Sequence, residues 1–418
     1  MMRRTKIICY PILILVWTMR SFPQEVDTLT VDACVRAAMA HHPWLKLAAE
    51  RVNEFSLRHT RVVREFLPGV TLRGVFHHLP ESGYDPVLTN GGEYALQSAV
   101  SYTALDFGRR IAVETQASVG LTIASLELRI AEEKLRRDVR LAYLDLFESQ
   151  QAVSLQREAI AELSEYVRLV QRLQRSGLVS EADVLAAKIE LAQMQAQISS
   201  SEAAASQASV RLRSLMDEHG NRMIVARELP LFDLPDTVKW DATLTLEKAL
   251  EEIRFARASV DFAQSEKYPV VNIFGDVGWL SSNVLTMKKM FGFSVGISVD
   301  GWMWRWGAQS LNVQVARSIE EERKLDYESQ RLSLASSVQE LLIRKQAARM
   351  QYEQLGSSVS DAADAFILSK ARFAGGIGSN LDVLTAHRRL IDLRLSVLRC
   401  RVEEQRMATE IQFIVATW

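Results

Sequence analysis

The 418-residue chain is poor in the residues that interrupt regular structure, with 19 glycines and 9 prolines. Together they make up roughly 7% of the chain against about 12% in average usage. That scarcity excludes a loop-rich or all-β protein and favours long helices. Cysteine occurs three times, at Cys9, Cys34 and Cys400, too few for a disulfide framework or a four-thiolate zinc site. Basic charge is not in excess, since 50 Lys+Arg stand against 51 Asp+Glu. Without that excess there is no electrostatic basis for a nucleic-acid partner. Beyond the first 23 positions no run of 18 apolar residues occurs, so no mature segment reads as a membrane-spanning helix. No P-loop, Ser-His-Asp order or paired-carboxylate element stands out, and neither an enzyme nor a cofactor is expected. The pairs His41–His42 and His77–His78 fall in separate elements. Neighbours on a strand point to opposite faces, so no metal site is expected from them.

What is present begins with an export signal at 1–23. Arg3, Arg4 and Lys6 form a basic start, and Ile7 to Trp17 an apolar stretch too short to span a bilayer. Proline is then absent from Val87 to Leu229 and from Val270 onward. Glycine clusters between Gly69 and Gly108, between Gly275 and Gly307, and at Gly375, Gly376 and Gly378. The long breaker-poor stretches between these zones read as helices of coiled-coil length. Inside the glycine-rich zones the residues alternate. Val70, Leu72, Gly74 and Phe76 alternate with Thr71, Arg73, Val75 and His77, and Tyr94, Leu96, Ser98, Val100 and Tyr102 follow. Val271, Ile273, Gly275, Val277 and Trp279 form a third run, and Phe291, Phe293, Val295, Ile297 and Val299 a fourth. Each has the length and pattern of a transmembrane β-strand, or of an ordinary two-stranded hairpin on a soluble sheet.

The two halves repeat at a constant offset of 199. Gly177-Leu-Val-Ser-Glu-Ala-Asp-Val-Leu-Ala-Ala187 aligns with Gly376-Ile-Gly-Ser-Asn-Leu-Asp-Val-Leu-Thr-Ala386, and Phe107–Gly108 with Trp306–Gly307. Leu334, Val338, Leu341, Ala348, Tyr352, Leu355, Val359, Ala362 and Phe366 make a seam of 3.5-residue spacing, and the same register recurs from Leu135 to Val167. The expected fold is mainly α with a small transmembrane β part, built on a duplicated helix, β-hairpin, helix, helix unit. Gly177 is placed as a helix C-cap, and Ser180 with Asp183 has capping-box spacing, repeated by Ser379 and Asp382. The expected division is a signal at 1–23, a first repeat at 24–216, an equatorial linker at 217–243 and a second repeat at 244–418. Strands are expected at about 69–104 and 269–303, and tip turns at 176–180 and 374–379. Four strands cannot sit in a bilayer alone, because edge strands would leave backbone groups unpaired in hydrocarbon. Three chains would close a twelve-stranded barrel, and the long helices would pool into a second barrel.

On these residues the sequence resembles the TolC-like outer membrane efflux protein family. The carriers are Leu29-Thr-Val-Asp-Ala-Cys-Val-Arg-Ala-Ala-Met-Ala-His-His-Pro-Trp-Leu45, then Leu105-Asp-Phe-Gly-Arg-Arg110, and the two Gly…Asp-Val-Leu tips. The resemblance implies a homotrimeric channel-tunnel in the outer membrane, extending into the periplasm. Its implied partners are a periplasmic adaptor and an inner-membrane transporter of RND, ABC or MFS type. It places adaptor docking at Gly177, Leu178, Val179, Ser180 and Asp183 and at Gly376, Ile377 and Ser379. Asp382 matches an acidic position at the periplasmic entrance, with Thr385 where the family often has a second aspartate. His387, Arg388 and Arg389 are read either as positive charge near that mouth or as solvated groups. Asp106, Gly108, Trp306 and Gly307 mark the strand-to-helix turns, with Arg305 standing where Asp106 would predict an acid. Trp279, Trp302, Trp304 and Trp306 read as an interfacial aromatic belt or as filling between barrel and helices. The competing reading is a soluble periplasmic coiled-coil scaffold or adaptor.

Overall fold

The structure, a computed structural model, describes residues 26–79, 92–218, 223–232, 234, 241–283, 285–302 and 304–415. The expected signal at 1–23 lies outside the described residues. In chain order they form β1 (Val26–Leu29), α1 (Val31–His41), α2 (Pro43–Glu65), β2 (Gly69–His78), β3 (Gly92–Leu105), α3 (Arg109–Arg175) and α4 (Glu181–Met216). There follow β4 (Met223–Ala226), α5 (Leu244–Ser265), β5 (Val270–Ser281), β6 (Phe291–Asp300), α6 (Ala308–Ala374) and α7 (Asn380–Val415). The chain is thus mostly helical with one four-stranded antiparallel sheet.

The 67 residues of α3 and of α6 extend each helix over about 100 Å. The offset of 199 relates Arg109 to Ala308, Arg175 to Ala374, Glu181 to Asn380 and Met216 to Val415. Two features depart from the sequence reading. The opening segment is not one helix, because Pro43 has no N–H and disfavours helical geometry at His42. His42 therefore ends α1 at ψ 124°, and its Nδ1 accepts a hydrogen bond from Trp44 N (3.2 Å) to start α2. The linker is also not merely connecting chain, since β4 within it pairs in parallel with β1.

Long helices of low amphipathicity are held by packing. One cluster gathers Cys34, Val35 and Ala38 of α1 with Leu135, Val139, Tyr143 and Leu146 of α3 and Leu212 and Met216 of α4. At roughly 1.5–3 kcal/mol for each fully buried large side chain, this cluster anchors the middle of the molecule. Polar side chains of the helices tie the linker to it. Tyr143 Oη accepts from Arg227 N (3.1 Å) and lies 3.1 Å from the acceptor Leu29 O. Gln150 brackets β4, donating to Ile224 O (2.7 Å) and accepting from Ala226 N (3.0 Å). Gln405 of α7 accepts from Phe232 N (2.8 Å). A second cluster, near the far ends of the helix hairpins, joins Leu163, Tyr166 and Val170 of α3 to Val184 of α4, Phe366 and Phe373 of α6, and Val383 and Leu390 of α7.

The sheet has the order β2-β3-β5-β6, so among the described residues both edge strands, β2 and β6, carry an unpaired side. Its register sorts the side chains. Val70 pairs with Val100, Leu96 with Trp279, Tyr102 with Ile273, Val271 with Val299, Gly275 with Val295 and Val277 with Phe293. Partners directly opposite share a face, so all the alternating apolar residues of the four strands lie on one side. The other side is polar and cross-linked. Arg73 meets Glu93 (3.2 Å), Gln97 donates to Asp276 (3.0 Å), Ser294 donates to Asp276, Thr103 donates to Asn272 (2.8 Å), and Asn272 donates to Asp300 (2.9 Å).

Candidate functional site

Three places in this frame carry the residues singled out by the sequence. The first is the apolar sheet face. Val70, Leu72, Phe76, Phe293, Val295, Ile297 and Val299 are each between 65% and 82% exposed. A hairpin on a soluble sheet would bury this face, and among the described residues no element covers it. Aromatic residues bound it at one end, where Phe76 meets Tyr94 edge to face (5.0 Å) and Trp279 meets Phe291 (5.0 Å). Beyond its other end stand Trp302, Trp304 and Trp306, 69–87% exposed. Within the chain these three do not fill the joint between sheet and helices.

The second place is the pair of strand-to-helix turns. Phe107 (φ 50°) and Gly108 (φ 89°) repeat at Trp306 (φ 51°) and Gly307 (φ 81°). Two successive left-handed residues closed by Arg109 N to Asp106 O (3.1 Å), and by Ala308 N to Arg305 O (2.9 Å), make tight reversals of mirror-image type. Glycine supplies the second position without steric cost. Asp106 adds acceptors for Gly108 N (3.2 Å) and Arg110 N (2.9 Å) at the positive end of α3. In the second copy Arg305 cannot do this, and its guanidinium lies over the Trp302 ring at 4.5 Å.

The third place is the pair of hairpin tips. At the end of α3, Leu178 N donates to Leu173 O (3.0 Å) and Gly177 N to Gln174 O (2.9 Å). At the end of α6, Ile377 N donates to Arg372 O (3.0 Å) and Gly376 N to Phe373 O (3.0 Å). This pattern needs a left-handed residue, and both Gly177 and Gly376 have φ 75°. Ser180 and Asp183 form a complete capping box on α4. The second tip is looser. Asp382 accepts from Ser379 N (3.3 Å), but the Ser379 hydroxyl accepts from Leu381 N (3.1 Å) instead of the amide of Asp382. Leu178 and Ile377 project outward, 69% and 86% exposed, while Val179 packs into the tip core. Asp382 and Thr385 are both exposed and, three residues apart on α7, share a helix face.

The structure corrects the reading of the basic residues that follow. His387 is buried, 1% exposed, and Arg388 forms a two-pronged ion pair with Glu190 of α4. Neither adds unpaired positive charge beside Asp382, and Arg389 is exposed. Sequence reasoning also missed the link between the tips. Tyr166 of α3 donates to Asn380 Oδ1 (2.6 Å), and Asn380 Nδ2 donates to Asp183 O of α4 (2.9 Å), all near the start of α7. Burial raises the Tyr166 phenol above its ordinary range and keeps it a donor. Among the described residues no helix is long and apolar enough to cross a membrane, and no metal-binding cluster occurs.

Residues 38–218 and 243–415 match the outer membrane efflux protein family, and the chain belongs to it. It is therefore an outer-membrane efflux protein that extends into the periplasm. No curated protein sequence matches the chain. The fold is similar to that of CusC, whose structures concern transmembrane channel formation, with a TM-score of 0.84 at 15% identity over 92% of this chain and 91% of that one. It is likewise similar to the CmeC outer membrane channel of Campylobacter jejuni, with a TM-score of 0.81, 16% identity and 92% and 85% covered. The outer membrane protein VceC of Vibrio cholerae gives a TM-score of 0.81 at 18% identity, with 92% and 94% covered. The soluble scaffold or adaptor reading finds no support.

Proposed function

We propose that three copies of this chain close a twelve-stranded barrel in the outer membrane and a helical barrel beneath it, forming a passive duct without catalysis. The observation that carries this is the four-stranded sheet with both edges open and a continuous exposed apolar face. Each ten-residue edge strand leaves about five N–H and five C=O groups pointing away from the sheet. In hydrocarbon each would cost several kcal/mol, and pairing β2 of one copy with β6 of the next removes the cost. The apolar face then meets lipid between two aromatic girdles, and the polar, cross-linked face lines the lumen.

The division of the chain follows. A leader at 1–23 sends it out of the cytoplasm, 24–216 and 244–418 are the two repeats, and 217–243 belongs to an equatorial collar. At the far end the tips Gly177–Ser180 and Gly376–Ser379, with Asp183 capping the first return helix, offer the exposed Leu178 and Ile377 to the hairpins of a periplasmic adaptor. That adaptor couples the duct to an inner-membrane transporter of RND, ABC or MFS type. Three copies of Asp382, each above a Thr385, ring the entrance and favour cations. The test is the reversal potential of purified protein in planar bilayers under a salt gradient. Asp382→Ala shifts it toward reduced cation preference, whereas an unchanged potential leaves Asp382 as a helix cap alone.

A further inference from the structure

The charges of this chain balance overall, with 50 Lys+Arg against 51 Asp+Glu, but they do not balance at the end of α3. Arg168, Arg172 and Arg175 are spaced by four and three residues, so they share one helix face over about 10 Å. All three are exposed, and with Lys370 of α6 they line a groove of about 610 Å³. Among the described residues Glu165 is the one carboxylate in its wall. Elsewhere on the long helices exposed arginines find carboxylates, as Arg157 does with Glu202 (2.7 Å) and Arg349 with Glu353 (3.2 Å). Among the described residues none of these four cations has an ion pair or a side-chain hydrogen bond. Glu165 forms no ion pair with them, and the next carboxylates are engaged elsewhere, Glu162 with Arg394 and Glu190 with Arg388. Helix architecture does not require the cluster. Arg172 and Arg175 complement the dipole in the last turn of α3, but that effect fades within one turn and does not reach Arg168. Nor does the repeat demand it, since Ile367, Ala371 and Ala374 stand at the offset of 199. Like charges at these spacings repel one another, and a bound anion relieves that repulsion.

We infer that this groove binds a small solute carrying two or more carboxylate or phosphate groups. Each guanidinium offers a planar fork of donors that fits either group in two-pronged fashion, and Lys370 adds a point charge from the other helix. Successive arginines are staggered by about 4.5–6 Å along α3. A single carboxylate satisfies one fork, whereas a multivalent anion spans two. Asp382 and Thr385 do not line the groove, so it is separate from the acidic position at the entrance and opposite in sign. Its service as a waiting place for exported anions rests on the duct reading. Binding itself does not.

The test is calorimetric titration of the full chain in non-ionic detergent with pyrophosphate and with citrate, alongside conductance in planar bilayers. Saturable binding of either probe at one site per chain is expected, weakening as salt is raised. Acetate, with a single charge, is expected to bind at least tenfold more weakly. Arg172→Gln combined with Lys370→Gln weakens binding at least tenfold. Arg172→Lys, which keeps the charge and loses the fork, gives a smaller loss. Arg372→Gln, at an exposed position of the same tip outside the groove, leaves binding unchanged. Absence of saturable binding of both probes to the wild-type protein overturns the site without recourse to any variant. So does an equal loss in Arg372→Gln, which would reduce the groove to diffuse charge. A protein that binds the probes and never conducts would keep the site and overturn the duct; one that conducts without binding them would do the reverse.

Discussion

Tyr166 shows how much one side chain holds at the far end of the helices. Its hydroxyl and the Asn380 amide join α3, α4 and the start of α7 through two short hydrogen bonds inside the tip core. Tyr166→Phe keeps the ring against Phe373 but leaves Asn380 Oδ1 buried without its donor. Such a loss costs about 1–3 kcal/mol. The expected outcome is a lower unfolding temperature in detergent with assembly unchanged, and an unaltered unfolding temperature would contradict the role given to this contact. The pairing was not legible beforehand because 214 positions separate the partners. Nothing in a local pattern says that a tyrosine on a heptad seam will meet an asparagine at the next helix start. His387 was misplaced for a related reason. It follows an acidic, exposed turn in sequence, yet its register on α7 puts it on the face with Val383 and Leu390, toward α3 and α6.

At the scale of elements, alternation carried most of the information. The apolar residues of β2, β3, β5 and β6 were readable as four runs, and their gathering onto one face follows from pairing in constant register up to a one-residue bulge between Thr103 and Leu105. Val295→Arg places a charge on that face, at a cost of about 2–4 kcal/mol per copy near the bilayer midplane. Assembly into the outer membrane, measured as folded protein in that fraction, is expected to collapse. Thr71→Lys, on the polar face beside Arg73, is expected to assemble normally. Equal levels of the two variants would remove the distinction between a lipid face and a polar face, and failure of Thr71→Lys alone would show them assigned the wrong way round. The tips make a different prediction. Leu178→Asp combined with Ile377→Asp changes two outward residues that contribute nothing to the tip core. Export is expected to fail with assembly intact, and sustained export would remove the tips from adaptor docking. The β1–β4 pair was the element least visible in sequence. Its strands have four residues each, lie nearly 200 positions apart, and are held against α3 by hydrogen bonds from Gln150 to β4 and from Tyr143 to Leu29 O. Strands of that length have no period to read.

For the whole molecule, the duplication sets the architecture. Two helix hairpins of equal length, related by 199 positions, stand under one sheet whose two edges have nothing to pair with among the described residues. The repeat was legible because both tips demand glycine at a left-handed position and an acid three residues into the cap, and both strand-to-helix turns demand glycine. Closure is a property of several chains, and only the mismatch between open edges and a membrane makes it necessary. The central claim is therefore one of stoichiometry. The native mass of the protein extracted from outer membranes in mild detergent tests it most directly. Three chains in a single detergent-dependent particle is the predicted result; a monomer or dimer that stays soluble without detergent would contradict the shared barrel.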